Sequence, residues 1–188
     1  MNPDEQDLPD VTIRHARLDD AAGIAAVHVT VWRTAYPGVL PEHTLTGLSR
    51  QSLAYRYASM IGGGAGVLVA RAPGAGREQP GVVGFTSASR SRTGIVGLAE
   101  GEVETLYVLD DWRDQGIGRS LLQAAARHLA GLSCRSMFLW VLADNPSRWF
   151  YERLGGRAAM HSTTRVGGQT LPQIAMVWDR IEVLSNPS

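Results

Sequence analysis

Apolar positions along the first third of the chain predict one strand followed by two helices. Residues 11–16 alternate between polar and apolar side chains, as expected of a short strand. Apolar residues then recur at helical spacing over residues 18–36, with Asp19 as the expected N-cap and Pro37 just beyond the end. Residues 48–61 predict a second helix, which closes at a run of glycines.

The rest of the chain alternates between strand and helix patterns. The predicted elements are an antiparallel hairpin over 66–72 and 82–90 with a flexible turn-rich tip, a strand over 101–109, a helix over 116–131, a strand over 136–143, a short helix over 146–156 and a final hairpin over 157–181. We therefore predict an α/β (α+β) fold in one domain. Its central mixed, mostly antiparallel sheet has about six to seven strands and about four flanking helices.

Composition narrows the class of protein and its partners. The chain has 188 residues, of which 44% are hydrophobic and 19% charged, as in an ordinary soluble globular domain. Its 18 basic and 18 acidic residues cancel, which argues against nucleic acid or a membrane as partner. We expect a disordered leader over 1–10, a folded domain over 11–181 and a tail over 182–188. Without an apolar signal segment, we expect a cytoplasmic location.

Cysteine and histidine usage points away from disulfide and metal chemistry. Cys134 is the single cysteine, which excludes an internal disulfide and suits a reducing compartment. It precedes a strongly apolar run, so we expect a small buried or strand-edge cysteine rather than a catalytic one. The spacing of His15, His43, His128 and His161 relative to Cys, Asp and Glu suggests no metal site.

The stretch WRDQGIGRS, residues 112–120, has the composition of an anion-binding loop. Two glycines stand between a predicted strand and a predicted helix, where the backbone can approach a ligand and unpaired amides point at it. No lysine follows, as a Walker loop would require, and Leu121 occupies the third glycine position of a dinucleotide loop. The sequence thus predicts a phosphate-bearing ligand of another kind.

Two blocks in this order resemble a known superfamily. Arg113, Gly116 and Gly118 form R-x-x-G-x-G after an apolar strand, and residues 139–156 (LWVLADNPSRWFYERLGG) contain an Asn followed by an F-Y-E-x-x-G helix. With an opening W-R-x-A-Y-x-G, the chain resembles the GNAT superfamily of acyl-CoA-dependent N-acyltransferases over residues 11 to about 180. The resemblance implies a GNAT-like fold, with acetyl-CoA as co-substrate and no metal.

The resemblance also implies how coenzyme A binds. A bulge in the predicted strand over 101–109 splays it from its neighbour and opens a V-shaped slot. The backbone of residues 106–108 would bond the pantetheine arm and supply an oxyanion donor, and amides of 113–120 would cradle the pyrophosphate. An ordinary solvated glycine turn is the alternative. The implied cofactor-binding residues are Leu106, Tyr107, Val108, Arg113, Asp114, Gln115, Gly116, Ile117, Gly118, Arg119, Ser120 and Asn145.

Amine acetylation needs an acid for the departing thiolate and a base for the amine. The resemblance implies Tyr151 as the acid, with packing in the core as the alternative. Tyr151 follows Asn145 one residue sooner than in many members, which would turn its side chain by about 100° if the helix lost its phase.

Glu100, Glu102 and Glu104 alternate and would share one face of a regular strand, with successive pairs ~7 Å apart. The resemblance favours Glu102, and Glu104 is the second candidate base. A solvated strand end is the alternative.

His28, Trp32 and Tyr36 form one helical stripe. Such a stripe is either core or, as the resemblance implies for the first helix, part of the acceptor pocket. The prediction is an N-acetyltransferase that moves an acetyl group from acetyl-CoA to a primary amine by direct attack in a ternary complex. A non-catalytic acyl-CoA-binding or sensing protein and a dinucleotide-dependent enzyme are the alternatives. The acceptor stays open between small molecules and protein amines, and a homodimer is common in the superfamily.

Overall fold

A mixed sheet of seven strands organises the chain in the computed structural model, which describes residues 10–73, 81–91 and 98–184. The order of the strands across the sheet is β1-β2-β3-β4-β5-β7-β6. The strands are β1 (Thr12–His15), β2 (Gly66–Ala72), β3 (Gly81–Arg90), β4 (Gly101–Val108), β5 (Met137–Leu142), β6 (Arg157–Val166) and β7 (Gln169–Trp178). The helices are α1 (Ala21–Ala35), α2 (Glu42–Thr46), α3 (Arg50–Gly62), α4 (Ile117–Gly131) and α5 (Ser147–Arg153).

The predicted mixed, mostly antiparallel sheet and the order of elements are confirmed, with the short helix α2 as an addition. Five strand pairs are antiparallel, and β4 runs parallel to β5. The parallel pair follows from the chain's path, because α4 carries it back across the sheet between these two strands. The predicted leader over 1–10, apart from Asp10, and the hairpin tip over 74–80 lie outside the described residues.

The predicted N-cap of the first helix was wrong by one residue. Leu18–Asp20 form a 3-10 turn, and α1 begins after Asp20. The Asp20 carboxylate accepts a hydrogen bond from the Arg17 backbone N–H at 2.8 Å and pairs with Arg14 at 2.7 Å. Because these bonds close the turn before the helix, the helix starts one residue later than Asp19 would set it.

Each face of the sheet is covered by its own helices. Helices α1 and α3 pack on one face, here called the α1 face, where Val27, Tyr57 and Phe85 are buried together. Helices α4 and α5 pack on the opposite α4 face, where Leu122 and Tyr151 belong to another buried cluster. The central strands are thus enclosed on both sides, as their apolar side chains require, whereas the edge strand β6 is largely exposed.

The α4-face core also includes Cys134, which follows α4, and a final 3-10 turn over Ile181–Leu184. Cys134 is buried there, as predicted, and burial raises the pKa of its thiol. Ile181 and Leu184, on a final 3-10 turn, are buried in the same cluster, so packing continues to Leu184. Among the described residues, no helix has the length and apolar character needed to cross a membrane.

Candidate active site

Strands β4 and β5 separate soon after they pair. Within the described residues, only 101–102 of β4 face 137–138 of β5. Strand β4 nevertheless stays paired with β3 as far as Val108. The two parallel strands therefore diverge into a slot, whose walls are residues 103–108 and 139–142.

The divergence begins at a β-bulge. Val103 faces Ala88 and Thr105 faces Ser87, so Glu104 is an extra residue with no counterpart in β3. A bulge bends its strand and changes the direction of the side chain at that position. The bulged strand therefore turns away from β5 at the point where the slot opens.

Buried hydroxyls secure the bulge from the β3 side. Thr86 Oγ1 donates to the Thr105 carbonyl oxygen at 2.8 Å, and Ser87 Oγ lies 2.7 Å from Thr105 Oγ1. Thr86 and Ser87 are both fully buried. Because a buried polar group without a partner costs about 1–3 kcal/mol, these bonds favour the bulged register over a regular one.

A cleft of about 520 Å³ runs through the slot. Leu139 and Val141, which point to the α4 face, line it together with Trp140 and Leu142, which alternate with them and point to the α1 face. The cleft is thus lined by side chains from both faces of the sheet. Its volume falls in the range of about 300–1,000 Å³ that suits one small ligand or cofactor arm.

At its α4 end the cleft meets an uncapped helix N-terminus. Gly116 is the N-cap of α4 with a φ of 76°, and no side chain caps the first turn. Gly116, Gly118 and Arg119 line the cleft. A Cβ on Gly118 would approach Phe150 Cζ to 3.3 Å, so α4 and α5 pack closely there. Free amides and the helix dipole together make an anion site.

Basic residues flank this helix end. Arg113 and Arg119 both line the cleft, and Arg113 pairs with Asp110 at 2.9 Å. Asp114, with a φ of 59°, gives the loop its sharp turn into Gly116. The loop therefore presents both positive side chains and unpaired amides to the cleft.

Three residues of the predicted loop do not line the cleft. Gln115 donates from its side chain to the Asp111 carbonyl oxygen at 3.2 Å, and the Ile117 side chain is buried beneath α4. The Ser120 N–H makes a helical bond to the Gly116 carbonyl oxygen at 3.0 Å. These residues hold the loop and the helix start in shape instead.

The edge of β4 offers backbone groups to the slot. The Leu109 N–H donates to the Val83 carbonyl oxygen at 2.9 Å, toward β3. Backbone groups alternate sides along a strand, so Val108 and Leu106 direct theirs away from β3, into the slot. Tyr107, also on the cleft wall, directs its backbone to β3.

Tyr151 lies in the cleft wall and in the core at once. It is buried on α5, its ring meets Trp178 edge-to-face at 6.1 Å, and it lines the cleft. Burial raises the pKa of its phenol well above the ordinary value, and the nearby Tyr107 and Tyr36 add to this effect. Within the described ranges no residue hydrogen-bonds the Tyr151 hydroxyl, which leaves it open to a ligand.

The three glutamates lie in different surroundings, although Glu102 and Glu104 both flank Val103, whose side chain is buried in the α4-face core. Glu104 lines the cleft, and its Oε1 accepts from Ser89 Oγ at 2.9 Å. Glu102 lies at the fork, paired with both β3 and β5, and does not line the cleft. Glu100 precedes β4, where its carboxylate accepts from the Arg135 N–H at 2.5 Å.

The stripe on α1 divides between core and cleft. His28 is buried and its Nδ1 lies 2.7 Å from the Tyr57 hydroxyl. Trp32 Nε1 donates to the Tyr107 hydroxyl at 3.0 Å. Of the stripe, Tyr36 lines the cleft, whereas His28 and Trp32 lie behind the wall and support it.

Tyr36 connects α1 with the loop side of the cleft. Burial raises the pKa of its phenol, while hydrogen bonding by Asn145 and the positive charge of Arg113 oppose the rise. Tyr36, Asn145 and Arg113 all line the cleft, so they meet at the mouth of the slot. Within the described ranges no group of three His, Cys, Asp or Glu is placed to hold a metal ion.

Comparison with known proteins identifies the family. Residues 34–156 match the model of the acetyltransferase (GNAT) family. The chain belongs to the GNAT family of acetyltransferases. It is 32% identical over 174 residues to the uncharacterized N-acetyltransferase YuaI of Bacillus subtilis (strain 168), covering 93% of this chain and 96% of that protein.

Solved GNAT structures share the fold. The chain is similar to yncA of Salmonella typhimurium, solved with its cofactor acetyl-CoA, with a TM-score of 0.66, 21% identity and coverage of 92% and 94% of the two chains. It is also similar to a phosphinothricin acetyltransferase from Sinorhizobium meliloti in complex with acetyl-CoA, with a TM-score of 0.65, 22% identity and coverage of 92% and 89%.

This GNAT protein also has cleft residues that sequence reasoning missed. Trp140, Leu171 and Gln173 line the α1-face end, and Trp112 and Phe150 lie near the α4 end. A signal for Trp140 existed, because it is the aromatic residue of strand β5 nearer to the predicted Asn-containing turn. Leu171 and Gln173 carried no signal, since the hairpin that holds them is distant in sequence.

Proposed function

We propose that this GNAT protein transfers an acetyl group from acetyl-CoA to a primary amine by direct attack in a ternary complex. The amine nitrogen bonds to the thioester carbonyl carbon, and the carbon–sulfur bond breaks. Of the two protons that an ammonium group loses overall, one ends on the coenzyme A thiol and one reaches solvent. The products are an N-acetylated amine and coenzyme A.

One observation carries the proposal, namely that the cleft in the β4–β5 slot extends from the uncapped N-terminus of α4 to residues of α1 on the other face of the sheet. A cofactor with a phosphate at one end and a reactive group at the other fits a cleft of this extent. A second substrate bound beside α1 would then meet the reactive group.

Donor binding is assigned mainly to backbone groups. The amides of Gly116 and Gly118, with Arg113 and Arg119 beside them, would hold the pyrophosphate, because unpaired amides at a helix start favour anions. The free backbone edge at Leu106 and Val108 would bond the pantetheine arm, as a strand partner would. These amides also lie on the wall where an oxyanion would develop.

Glu104 is the proposed base. Its position on the bulge puts a carboxylate on the cleft wall, whereas Glu102 stays at the fork. A carboxylate there attracts the ammonium form of the acceptor. After one proton has left to solvent, the neutral amine attacks the carbonyl, and Glu104 accepts the second proton, directly or through a water, because the new bond makes that proton acidic.

Tyr151 is the proposed donor to the departing sulfur. Burial raises the pKa of its phenol, so the hydroxyl stays protonated through the neutral range and can donate to a developing thiolate. Packing against Trp178 fixes the ring, which keeps the hydroxyl in one direction. Its core position and its proposed role are therefore compatible.

A test begins with binding and then measures turnover. Acetyl-CoA should raise the unfolding temperature, since a ligand at 100 times its dissociation constant adds about 2.7 kcal/mol to the free energy of unfolding. NAD and FAD serve as comparison ligands. Thiol release is then followed with a panel of primary amines. Stabilisation by acetyl-CoA without release of thiol by any amine would contradict the enzymatic proposal and favour a sensing protein.

Paired variants test the base. Glu104→Gln should lower kcat by about 100-fold, which is the lower end of the contribution expected of general acid–base catalysis. Glu102→Gln is the matched control in the same strand and should keep most of the activity. The reverse pattern would assign the base to Glu102 instead.

The remaining predictions concern the domain bounds, the oligomeric state and the cellular location of the enzyme. We propose that residues 11–181 are the acetyltransferase domain, with packing extending to Leu184. A homodimer and a cytoplasmic location stay predictions, which sedimentation and cell fractionation test directly.

A further inference from the structure

The α1-face end of the cleft has a chemistry of its own. We call it the acceptor chamber and define it by seven lining residues, Val31, Tyr36, Val39, Glu104, Trp140, Leu171 and Gln173. Three of these side chains are aliphatic and two are aromatic, one is an uncharged amide, and the carboxylate of Glu104 is the one charged group among the seven. The assignment of this end to the acceptor rests on the function proposed above.

Strand alternation places the chamber on one face. Leu139 and Val141 are buried in the α4-face core, so Trp140 between them points to the α1 face. In β7, Ile174 belongs to the α4-face core, so its neighbour Gln173 points the other way. The chamber floor therefore comes from β5 and β7, and α1 supplies the opposite wall.

The cations that line the cleft lie mainly on its α4 side, although the charge of Arg113 also reaches Tyr36 at the edge of the chamber. Among the described residues that line the cleft, the cationic ones are Arg113, Arg119 and Arg153. The first two flank the start of α4, and Arg153 ends α5 on the α4 face. Arg113 is also paired with Asp110, which reduces the charge that it offers to the cleft mouth.

We propose that the acceptor is a small primary amine on an apolar body, with no carboxylate or phosphate of its own. Glu104 would attract the ammonium, and the Trp140 and Tyr36 rings would contact the apolar body and face the cation. An acidic group on the acceptor would lie near Glu104 without a basic partner, where like charges repel. The pantetheine arm shares the cleft of about 520 Å³, so space favours a small molecule.

Three matched amines test the proposal with saturating acetyl-CoA. They are 2-phenylethylamine, L-phenylalanine amide and L-phenylalanine, which differ in whether a carboxylate, an uncharged amide or neither stands beside the amine. The first two should exceed L-phenylalanine in kcat/KM by about 100-fold, the size of effect expected for a like-charge contact. Equal rates with L-phenylalanine, or a faster reaction with a phenylalanine-initiated peptide than with either small amine, would overturn the proposal.

Two substitutions sharpen the test. Gln173→Arg places a cation in the chamber and should raise kcat/KM for L-phenylalanine about tenfold while lowering it for 2-phenylethylamine, in keeping with charge-based specificity. Gln169→Arg, in the same strand and outside the cleft lining, is the control. Failure of Gln173→Arg to shift the ratio of the two substrates counts against the proposal.

Trp140→Leu should weaken the binding of 2-phenylethylamine by about tenfold, measured by calorimetry with coenzyme A bound. Trp149→Leu, at an exposed position outside the cleft lining, should leave the affinity unchanged. Equal affinity in Trp140→Leu and wild type would contradict the proposed contact. Different results contradict the two proposals. If the protein binds acetyl-CoA but acetylates no amine, the proposed enzymatic function is wrong. If it acetylates L-phenylalanine in preference to the other two amines, only the proposed acceptor class is wrong.

Discussion

The two ends of the cleft are built from different parts of the chain. At the α4 end the groups that face a ligand are mostly backbone amides, at Gly116 and along the free edge of β4. At the α1 end they are side chains, with Glu104 and Trp140 on the walls. Backbone sites depend on glycines and on the path of the chain, so most single side-chain substitutions leave their ligand-binding groups in place. A site built from side chains can change its specificity with one substitution.

The largest effect is expected from a negative charge at the backbone-built end. Gly118→Asp places a carboxylate in the first turn of α4, where it would repel the pyrophosphate, and should raise KM for acetyl-CoA about 1,000-fold. KM for the amine should change little, which would separate the two ends. Gly131→Asp, at the other end of α4, is the control, and KM effects of equal size in both variants would contradict the donor assignment.

A smaller effect is expected where the two ends meet. Tyr151→Phe keeps the packing against Trp178 and removes the hydroxyl, so kcat should fall about 100-fold with both KM values nearly unchanged. Because burial raises the pKa of Tyr151, the wild-type rate should show no loss from its ionisation until the pH exceeds about 10. Tyr55→Phe, at an exposed position, is the control. Full activity of Tyr151→Phe would leave Tyr151 a core residue only.

His28, which lies behind the wall of the acceptor chamber, is expected to contribute to stability rather than to catalysis. Burial, with the positive charge of Arg56, lowers the pKa of His28 to about 4. Between pH 6.5 and 4 the unfolded chain binds a proton that the folded chain does not, so the free energy of unfolding falls as the pH falls. The expected loss is up to about 3 kcal/mol.

Substitution of His28 should remove that loss. Chemical denaturation from pH 7 to 4 should show a flatter dependence in His28→Gln than in wild type, while His43→Gln, at an exposed position, should follow wild type. KM for the amine should change less than threefold or so, because His28 lies outside the cleft lining. An unchanged pH dependence in His28→Gln would contradict the predicted protonation.

The smallest effect concerns the bulge that joins the two ends. Thr86→Val keeps the shape of the side chain and leaves the Thr105 carbonyl oxygen without its donor, which should lower the free energy of unfolding by about 1–2 kcal/mol. A less firmly held bulge should also lower kcat, since Glu104 sits on it. Thr46→Val, exposed on α2, is the control. A stable Thr86→Val protein with full activity would show that the bulge does not need this bond.

The backbone-built end of the cleft was predictable from the sequence, and much of the side-chain-built end was not. The loop around Gly116 was predictable because a local spacing encodes its backbone shape, and the order of strands and helices along the chain followed from apolar periodicity. The bulge at Glu104 was not predictable, because Glu100, Glu102 and Glu104 alternate as in a regular strand and only pairing with β3 reveals the extra residue. Helix α2 is too short for periodicity to mark it.

Contacts between distant segments were also beyond the sequence. His28 meets Tyr57 across 29 residues, and Trp32 meets Tyr107 across 75, so the stripe on α1 could not be divided into core and cleft in advance. The same holds for the acceptor chamber, whose walls come from α1, the bulge, β5 and β7. Tertiary packing decides such sites, and local patterns do not encode it.

The short pairing of β4 with β5 has a consequence for the mechanics of the sheet. Strands β1 to β4 and strands β5, β7 and β6 form two half-sheets that share two residue pairs at one end. A bound pantetheine arm that bonds the free edge of β4 would fill the gap between the two half-sheets and restrict their relative motion. Donor binding would then stiffen the whole enzyme, and product release would loosen it. Amide hydrogen exchange along β4 should therefore slow on loading and recover once per turnover.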